Sequence, residues 1–409
     1  SHHNGRIDIQ IIQRGLRYKQ PVNTNYYSDI KARRSLEDFE LNDDDIICQN
    51  VFYVVVENEE GDSQDSNVWV CDIEKEDGRY HAFRLVNIPT QANEELKDDI
   101  QGISGNAQLI LRQAVSYLDE SAALINLPTE TGGEDVIIEI IKNEEAQQQI
   151  MFNEKTVLVI RVTGSEPGEE LKSADGVIID ASTLSRRVFG GSDDKVNLKT
   201  QYEDCSANQL IIERADGYNA ILSGVLDVDL DVSTSHESSK PLVDGTNEFL
   251  ENKIVDAAKA KLGISTTLES EFDIIMMCLP EGTNVKTAYA RLLGKRSVYS
   301  GESCIMPSYQ MHEIGHSLGL YHSNHNGREY DDKSGIMGFS YPDDHEFPRM
   351  CFNGAKSAIF GWYFDKSVNH DPDPQSLERS KTFNLVGVTD YISANRFEHT
   401  VVITLKGIR

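Results

Sequence analysis

The chain has 409 residues and carries 67 Asp+Glu against 39 Lys+Arg, a formal charge of −28. At roughly 100 to 200 residues per domain that length allows two or three domains, and the acidic surplus repels phosphate backbones and anionic membranes, so nucleic acid is not an expected partner. Hydrophobic residues make up 39% of the sequence, with 16 Tyr and 14 Phe, which is too much core material for a disordered chain.

No apolar run approaches the roughly 18 to 20 residues that span a bilayer, so membrane insertion is not expected. The first ten residues lack a signal-peptide apolar stretch, and Ser1-His2-His3 reads as a processing or tag scar. Six cysteines show no C-x-x-C spacing, which argues against a cysteine zinc site or a thioredoxin motif. Disulfides in an oxidising compartment are expected, with buried thiols in a reducing one as the alternative.

In chain order, Val51-Phe52-Tyr53-Val54-Val55-Val56 and Val68-Trp69-Val70-Cys71 flank the polar stretch 58–67 and read as a β-hairpin. Antiparallel pairing brings the hairpin ends together, so a Cys48–Cys71 disulfide is expected, while Cys205, Cys278, Cys304 and Cys351 leave three connectivities open. Leu109, Ile110, Leu111, Ala114, Val115 and Leu118, at mixed helical spacing, predict a helix after Gly105. The window 127–154, punctuated by Pro and Gly and then acidic and Gln-rich, reads as a domain boundary.

Beyond it, Thr156-Val157-Leu158-Val159-Ile160-Arg161-Val162 has the β-branched character of an interior strand. Leu226, Val228, Leu230 and Val232 alternate with Asp227, Asp229 and Asp231, as in a half-solvated strand. Calcium is not indicated there, because the glycine of a calcium loop is missing and the spacing is period two. Thr246 is the expected cap of an amphipathic helix through Phe249, Leu250, Ile254, Val255, Ala258 and Leu262 that closes at Gly263. Residues 272–277 read as a buried strand, and the strand-like segments at 383–386 and 400–405 read as the start of a further β-domain.

The chemistry is carried by His312-Glu313-Ile314-Gly315-His316-Ser317-Leu318-Gly319-Leu320-Tyr321-His322. Positions four apart share a helix face, so His312 and His316 aim imidazole nitrogens at one metal ion, and Glu313 beside them reaches a metal-bound water as general base. His322 lies six residues beyond His316, too far round a continuing helix, and Gly319 is the residue that lets the chain turn back through positive φ. Three neutral histidines leave a position open for water, the pattern of a catalytic zinc. With 11 His in 409 residues, chance produces H-E-x-x-H about 0.02 times and the extended motif about 10⁻⁴ times, so coincidence does not explain it. His325 and His345 read as solvated loop residues. Met337, in Gly335-Ile336-Met337-Gly338, reads as the apolar floor of a tight turn beneath the histidines.

The extended zinc motif followed by this Met-turn resembles the metzincin clan. Residues 197–206, Met337-Gly338-Phe339-Ser340-Tyr341, residues 350–356 and Gly361-Trp362-Tyr363 are similar to the gametolysin family of secreted metallopeptidases, the likeness covering residues 155–365. The resemblance implies an α+β, zincin-like catalytic domain with a mixed twisted sheet and an active-site helix. It also implies one Zn2+ held by His312, His316 and His322, Glu313 as base, and an extracellular endopeptidase of matrix or cell-wall proteins; calcium is not indicated as a second ion. Several metzincins carry a tyrosine two residues after the Met; this chain has Phe339 there, so a hydroxyl that stabilises the transition state falls to Tyr341. Asn353 to Phe360, capped by Asn353 and ended by Gly361, matches the clan's C-terminal helix.

On this reading residues 1–150 form an α+β prodomain-like region that covers the cleft, 151–365 the catalytic domain and 366–409 a β-rich C-terminal segment, and cleavage within 127–154 releases activity. One metzincin latency mechanism inserts a free prodomain thiolate as a metal ligand; a Cys48–Cys71 disulfide would leave only steric filling or a carboxylate. The competing readings are a latent or non-catalytic wall or matrix binding protein that retains the fold, and a hydrolase of non-peptide amides.

Overall fold

The computed structural model describes residues 11–12, 15–16, 46–57, 68–74, 80–88, short stretches between 93 and 127, 137–142 and 153–405, the last range without 192–193, 236–245, 284, 286, 326–327, 329, 339–349, 371–382, 388–389 and 394–399. Its N-terminal strands are β1 (Ile11–Ile12), β2 (Gly15–Leu16), β3 (Ile46–Cys48), β4 (Asn50–Glu57), β5 (Val68–Glu74), β6 (Tyr80–Val86), β7 (Ala107–Arg112), β8 (Val115–Leu118), β9 (Ala123–Asn126) and β10 (Ile137–Lys142). β4 and β5 form the expected antiparallel hairpin, with Val54 opposite Val68 and Val51 opposite Cys71. The Cys48–Cys71 disulfide closes its open end.

The helix expected after Gly105 does not form; that stretch is β7 and β8. Ala107, Leu109 and Leu111 are buried while Gln108 and Ile110 are half-exposed, a period of two. β7 pairs with β10 on one side and β3 on the other, which satisfies its backbone. An apolar run of this kind suits either element, and long-range partners decide it.

The rest of the chain contributes β11 (Asn153–Thr163), α1 (Ala181–Phe189), α2 (Leu198–Ser206), β12 (Leu210–Arg214), β13 (Ile221–Leu222), β14 (Val225–Asp229), α3 (Glu248–Leu262), α4 (Leu268–Glu271), β15 (Ile274–Leu279), β16 (Ala288–Arg291), β17 (Arg296–Ser300), α5 (Pro307–Ser317), α6 (Gly354–Ile359), β18 (Ser367–His370) and β19 (Val402–Leu405). The architecture is α+β with a mixed sheet. β11, fully buried from Val157 to Ile160, runs parallel to β12, β14 and β15, and β15 runs parallel to β17. Apolar residues fill both faces of such a strand because both are covered. β16 lies antiparallel to β17 and pairs on its other side with β4, so the N-terminal hairpin and the parallel strands share one twelve-stranded sheet. Along β4, Val51, Tyr53 and Val55 enter the core shared with β3 and β7, while Val54 and Val56 enter the core beneath α3.

α3 begins one residue later than Thr246 would place it: Asn247 is the cap, accepting from Leu250 N at 3.0 Å. The Thr246 hydroxyl is instead engaged by Glu248 Oε1 at 2.7 Å. Gly263 closes the helix at φ 70°. The buried strand occupies 274–279, two residues beyond the expected span. In β14 the buried Leu226 and Val228 alternate with aspartates that face cations of this chain, Asp227 with Arg161 Nε at 2.7 Å and Asp229 with Lys261 Nζ at 3.9 Å. Cys205–Cys351 and Cys278–Cys304 complete the disulfides, leaving no free cysteine. Near the C-terminus Leu385 bridges Thr400 and β18 pairs with β19. Among the described residues no helix is long and apolar enough to cross a membrane.

Candidate metal centre

α5 starts at Pro307, whose missing N–H costs nothing in a first helical turn and whose fixed φ suits it. It carries His312, Glu313 and His316, all fully buried. Gly319, at φ 97°, donates its N–H to His316 O at 2.8 Å while Leu320 N bonds to Gly315 O at 2.9 Å, so the chain leaves the helix by a sharp left-handed turn. His322 is thereby returned to the helix: its Nε2 lies 3.1 Å from His316 Nε2 and 3.1 Å from His312 Nε2.

The outer nitrogens of the two helical histidines are committed to backbone carbonyls, His312 Nδ1 to Ile336 O at 2.9 Å and His316 Nδ1 to Leu320 O at 2.6 Å. Each therefore carries its proton on Nδ1 and turns the Nε2 lone pair inward. Burial, followed by the neighbouring imidazoles, holds the His316 pKa well below the usual histidine value, and burial and His312 do the same for His322. Lone pairs converging in a buried site suit a cation. Zn–N bonds of about 2.0–2.1 Å would set tetrahedral nitrogens about 3.3 Å apart, close to the 3.1 Å found. Among the described residues these three histidines are the group that could hold a metal ion.

Met337 is fully buried and lies directly against α5. Its carbonyl accepts from Ser323 N at 2.9 Å, and Ile336 N donates to Cys351 O at 3.0 Å. The turn thus fixes the residue after His322 and, through Ile336 O, the ring of His312. α6, capped by Asn353 accepting from Lys356 N at 2.9 Å, stands beside it. Tyr341, Phe339 and His345 lie outside the described residues. His325 stands apart from the triad, its side chain mostly exposed and 3.7 Å from Asp331.

Two neighbours of the site escape the sequence reading. Tyr330 packs its ring on His322, centroids 4.0 Å apart; nothing in the sequence separates it from the other tyrosines. Lys356 donates to Tyr321 O at 2.5 Å and His322 O at 3.2 Å, and burial lowers its pKa to about 8 against the partial opposition of Asp332. It fixes the backbone that presents the third histidine.

Residues 179–381 match the family model described as gametolysin peptidase M11. Over this stretch the chain is gametolysin-like. The match runs from the residues just before α1 to beyond β18 and takes in the three histidines, Glu313 and Met337, so the gametolysin-like segment is the one that contains the candidate centre. No curated protein and no solved structure matches the chain.

Proposed function

We propose that the chain is a zinc-dependent endopeptidase whose metal is held by Nε2 of His312, His316 and His322. The supporting observation is the convergence of these buried nitrogens with their Nδ1 atoms fixed by backbone carbonyls. A zinc ion there supplies Lewis-acid polarisation of the scissile carbonyl and a lowered pKa for water. Glu313, one position along α5 from His312, acts as general base: a carboxylate oxygen takes a proton from the attacking water and then delivers it to the leaving amine. The apolar Met337 floor keeps bulk water from below the site, and Tyr341 remains the proposed hydroxyl for transition-state stabilisation.

In this proposal residues 151–365 form the catalytic domain, 1–150 a restraining region and 366–409 a C-terminal β segment. Three disulfides support an oxidising, extracellular setting with matrix or cell-wall proteins as substrates. The test is hydrolysis of denatured casein or gelatin with and without a chelator, beside Glu313→Ala. Chelator-insensitive hydrolysis, or an unimpaired Glu313→Ala chain, would overturn the proposal.

A further inference from the structure

α5 packs against β16, and the turn after β16 is tied to the metal helix by Leu293 N, which donates to His316 O at 3.1 Å. β16 is thus the sheet strand attached to the centre, and its outer edge is filled by β4: Val54 faces Arg291, Val55 faces Ala290, Val56 faces Tyr289 and Glu57 faces Ala288. Leu292 N donates to Tyr53 O at 2.9 Å. In an antiparallel ladder, bonded pairs recur every second residue, so Val55 and Glu57 also turn their amides to β16 and Val56 turns its carbonyl the other way. There Tyr330, its ring packed against that of His322, donates its hydroxyl to Val56 O at 3.4 Å. An eight-residue extended segment of the chain therefore lies between β16 and a residue that touches a metal-binding histidine, one tyrosine side chain away from the centre.

An extended peptide binds a sheet edge by just such backbone pairing. The geometry points to β4 as a built-in occupant of the edge of β16 that receives extended peptide substrates, so that the chain with β4 in place is closed to them. This inference rests on the peptidase reading and adds which segment of this chain blocks the edge. A cysteine ligand plays no part, since every cysteine is in a disulfide.

What holds β4 there is more than strand pairing. Asp72 on β5 bonds Arg291 Nη1 at 2.8 Å, and Arg291 Nη2 reaches Glu251 of α3 at 2.9 Å. Arg84 on β6 pairs with Glu248 of α3 at 3.0 Å, and the Asn252 side chain spans the N–H and carbonyl of Ala82 at 2.7 and 2.8 Å. All of these groups are buried; the bonds of Asp72, Arg84 and Ala82 link β5 and β6 to elements of the gametolysin-like segment, and Arg291–Glu251 ties β16 to α3 within it. Severing the chain within 127–154 would leave these contacts intact, so a cut alone does not free the edge; β4 has to leave.

The test uses the full metal-loaded chain carrying Glu313→Gln, which holds peptides without cutting them, and a fluorescein-labelled casein-derived decapeptide. Hydrogen exchange of the Val55 and Glu57 amides and peptide affinity are followed together as urea is raised below the global transition, with Met276 and Met277 exchange as the control for an intact sheet. Apparent affinity scales with the fraction of molecules whose edge is free, so a rise of about tenfold in β4 opening should bring about tenfold tighter apparent binding. The paired substitution Asp72→Asn with Arg84→Gln, outside the metal site, should shift both curves to lower urea; if that chain fails to fold, the unsubstituted interface still gives the answer. Peptide bound while Val55 and Glu57 stay protected, or β4 released with no gain in binding, overturns the inference. Metal content is measured in parallel: its loss would count against the zinc reading and leaves the strand exchange to be judged by itself.

Discussion

Gly315 and Met337 meet beneath the three buried histidines: a Cβ added at Gly315 would lie 2.6 Å from Met337 Sδ and 3.1 Å from Phe352 Cε1. The glycine of the H-E-x-x-H helix is thus required by packing, because any side chain there would displace the floor of the Met-turn. Gly315→Ala should cost about 1–3 kcal/mol through overpacking, even though alanine is the better helix former. Urea denaturation of the two chains measures this, and an equal or higher midpoint for the variant would show that the turn yields freely.

His316→Ala removes one of three converging nitrogens and leaves two, too few for a closed-sided zinc site. Elemental analysis after dialysis should find the variant essentially free of zinc, where the parent holds one ion per chain. Full occupancy in the variant would assign the metal elsewhere.

Glu313→Gln keeps the shape of the side chain but removes its ability to accept a proton. Zinc content should be unchanged while kcat/KM on a quenched peptide falls by about 10²–10⁴. Near-parental turnover would mean that another group takes the proton.

The Cys205–Cys351 disulfide reaches the site by a short path, since Cys351 O accepts from Ile336 N at 3.0 Å and Ile336 O holds His312 Nδ1 at 2.9 Å. Replacing both cysteines with serine should lower stability by about 2–5 kcal/mol and weaken zinc retention along with it. A chelator competition that shows equal zinc affinity would separate the disulfide from the ligand geometry.

Glu169 supplies a pH test away from the metal. Burial raises its pKa, but hydrogen bonds from the Ser233 hydroxyl, Thr234 N and Ser235 N more than offset this and hold it at about 2, below the ordinary 4.5. Because the folded value is the lower one, the stabilisation is fully present above about pH 4.5 and is lost as pH falls towards 2. The lost contribution is at most about 3 kcal/mol. Glu169→Gln should flatten the stability profile over that window; a profile as steep as the parent's would place the acid sensitivity in other carboxylates.

Local features were legible in residue order alone. The spacing of His312, Glu313 and His316 follows from the helical period, and Gly319 in the left-handed region returns His322 within a single turn, so the triad could be read from eleven consecutive residues. The β4–β5 hairpin and its Cys48–Cys71 disulfide were legible for the same reason, the ends of a hairpin being neighbours by construction. The cap of α3 slipped by one residue because Thr246 and Asn247 are both capping types and only the bond from Thr246 to Glu248 separates them. Everything that depends on partners far along the chain was settled by tertiary structure. Leu109 and Leu111 became strand once β3 and β10 offered backbone to pair with, and Cys205 found Cys351 across 146 residues. Tyr330 came to rest on His322, and β4 came to lie along β16, 233 positions separating Val56 from Tyr289. Periodicity carries no information over such distances: it fixes which face of an element is apolar, and the burial of that face against one partner among many is decided only when the whole chain packs.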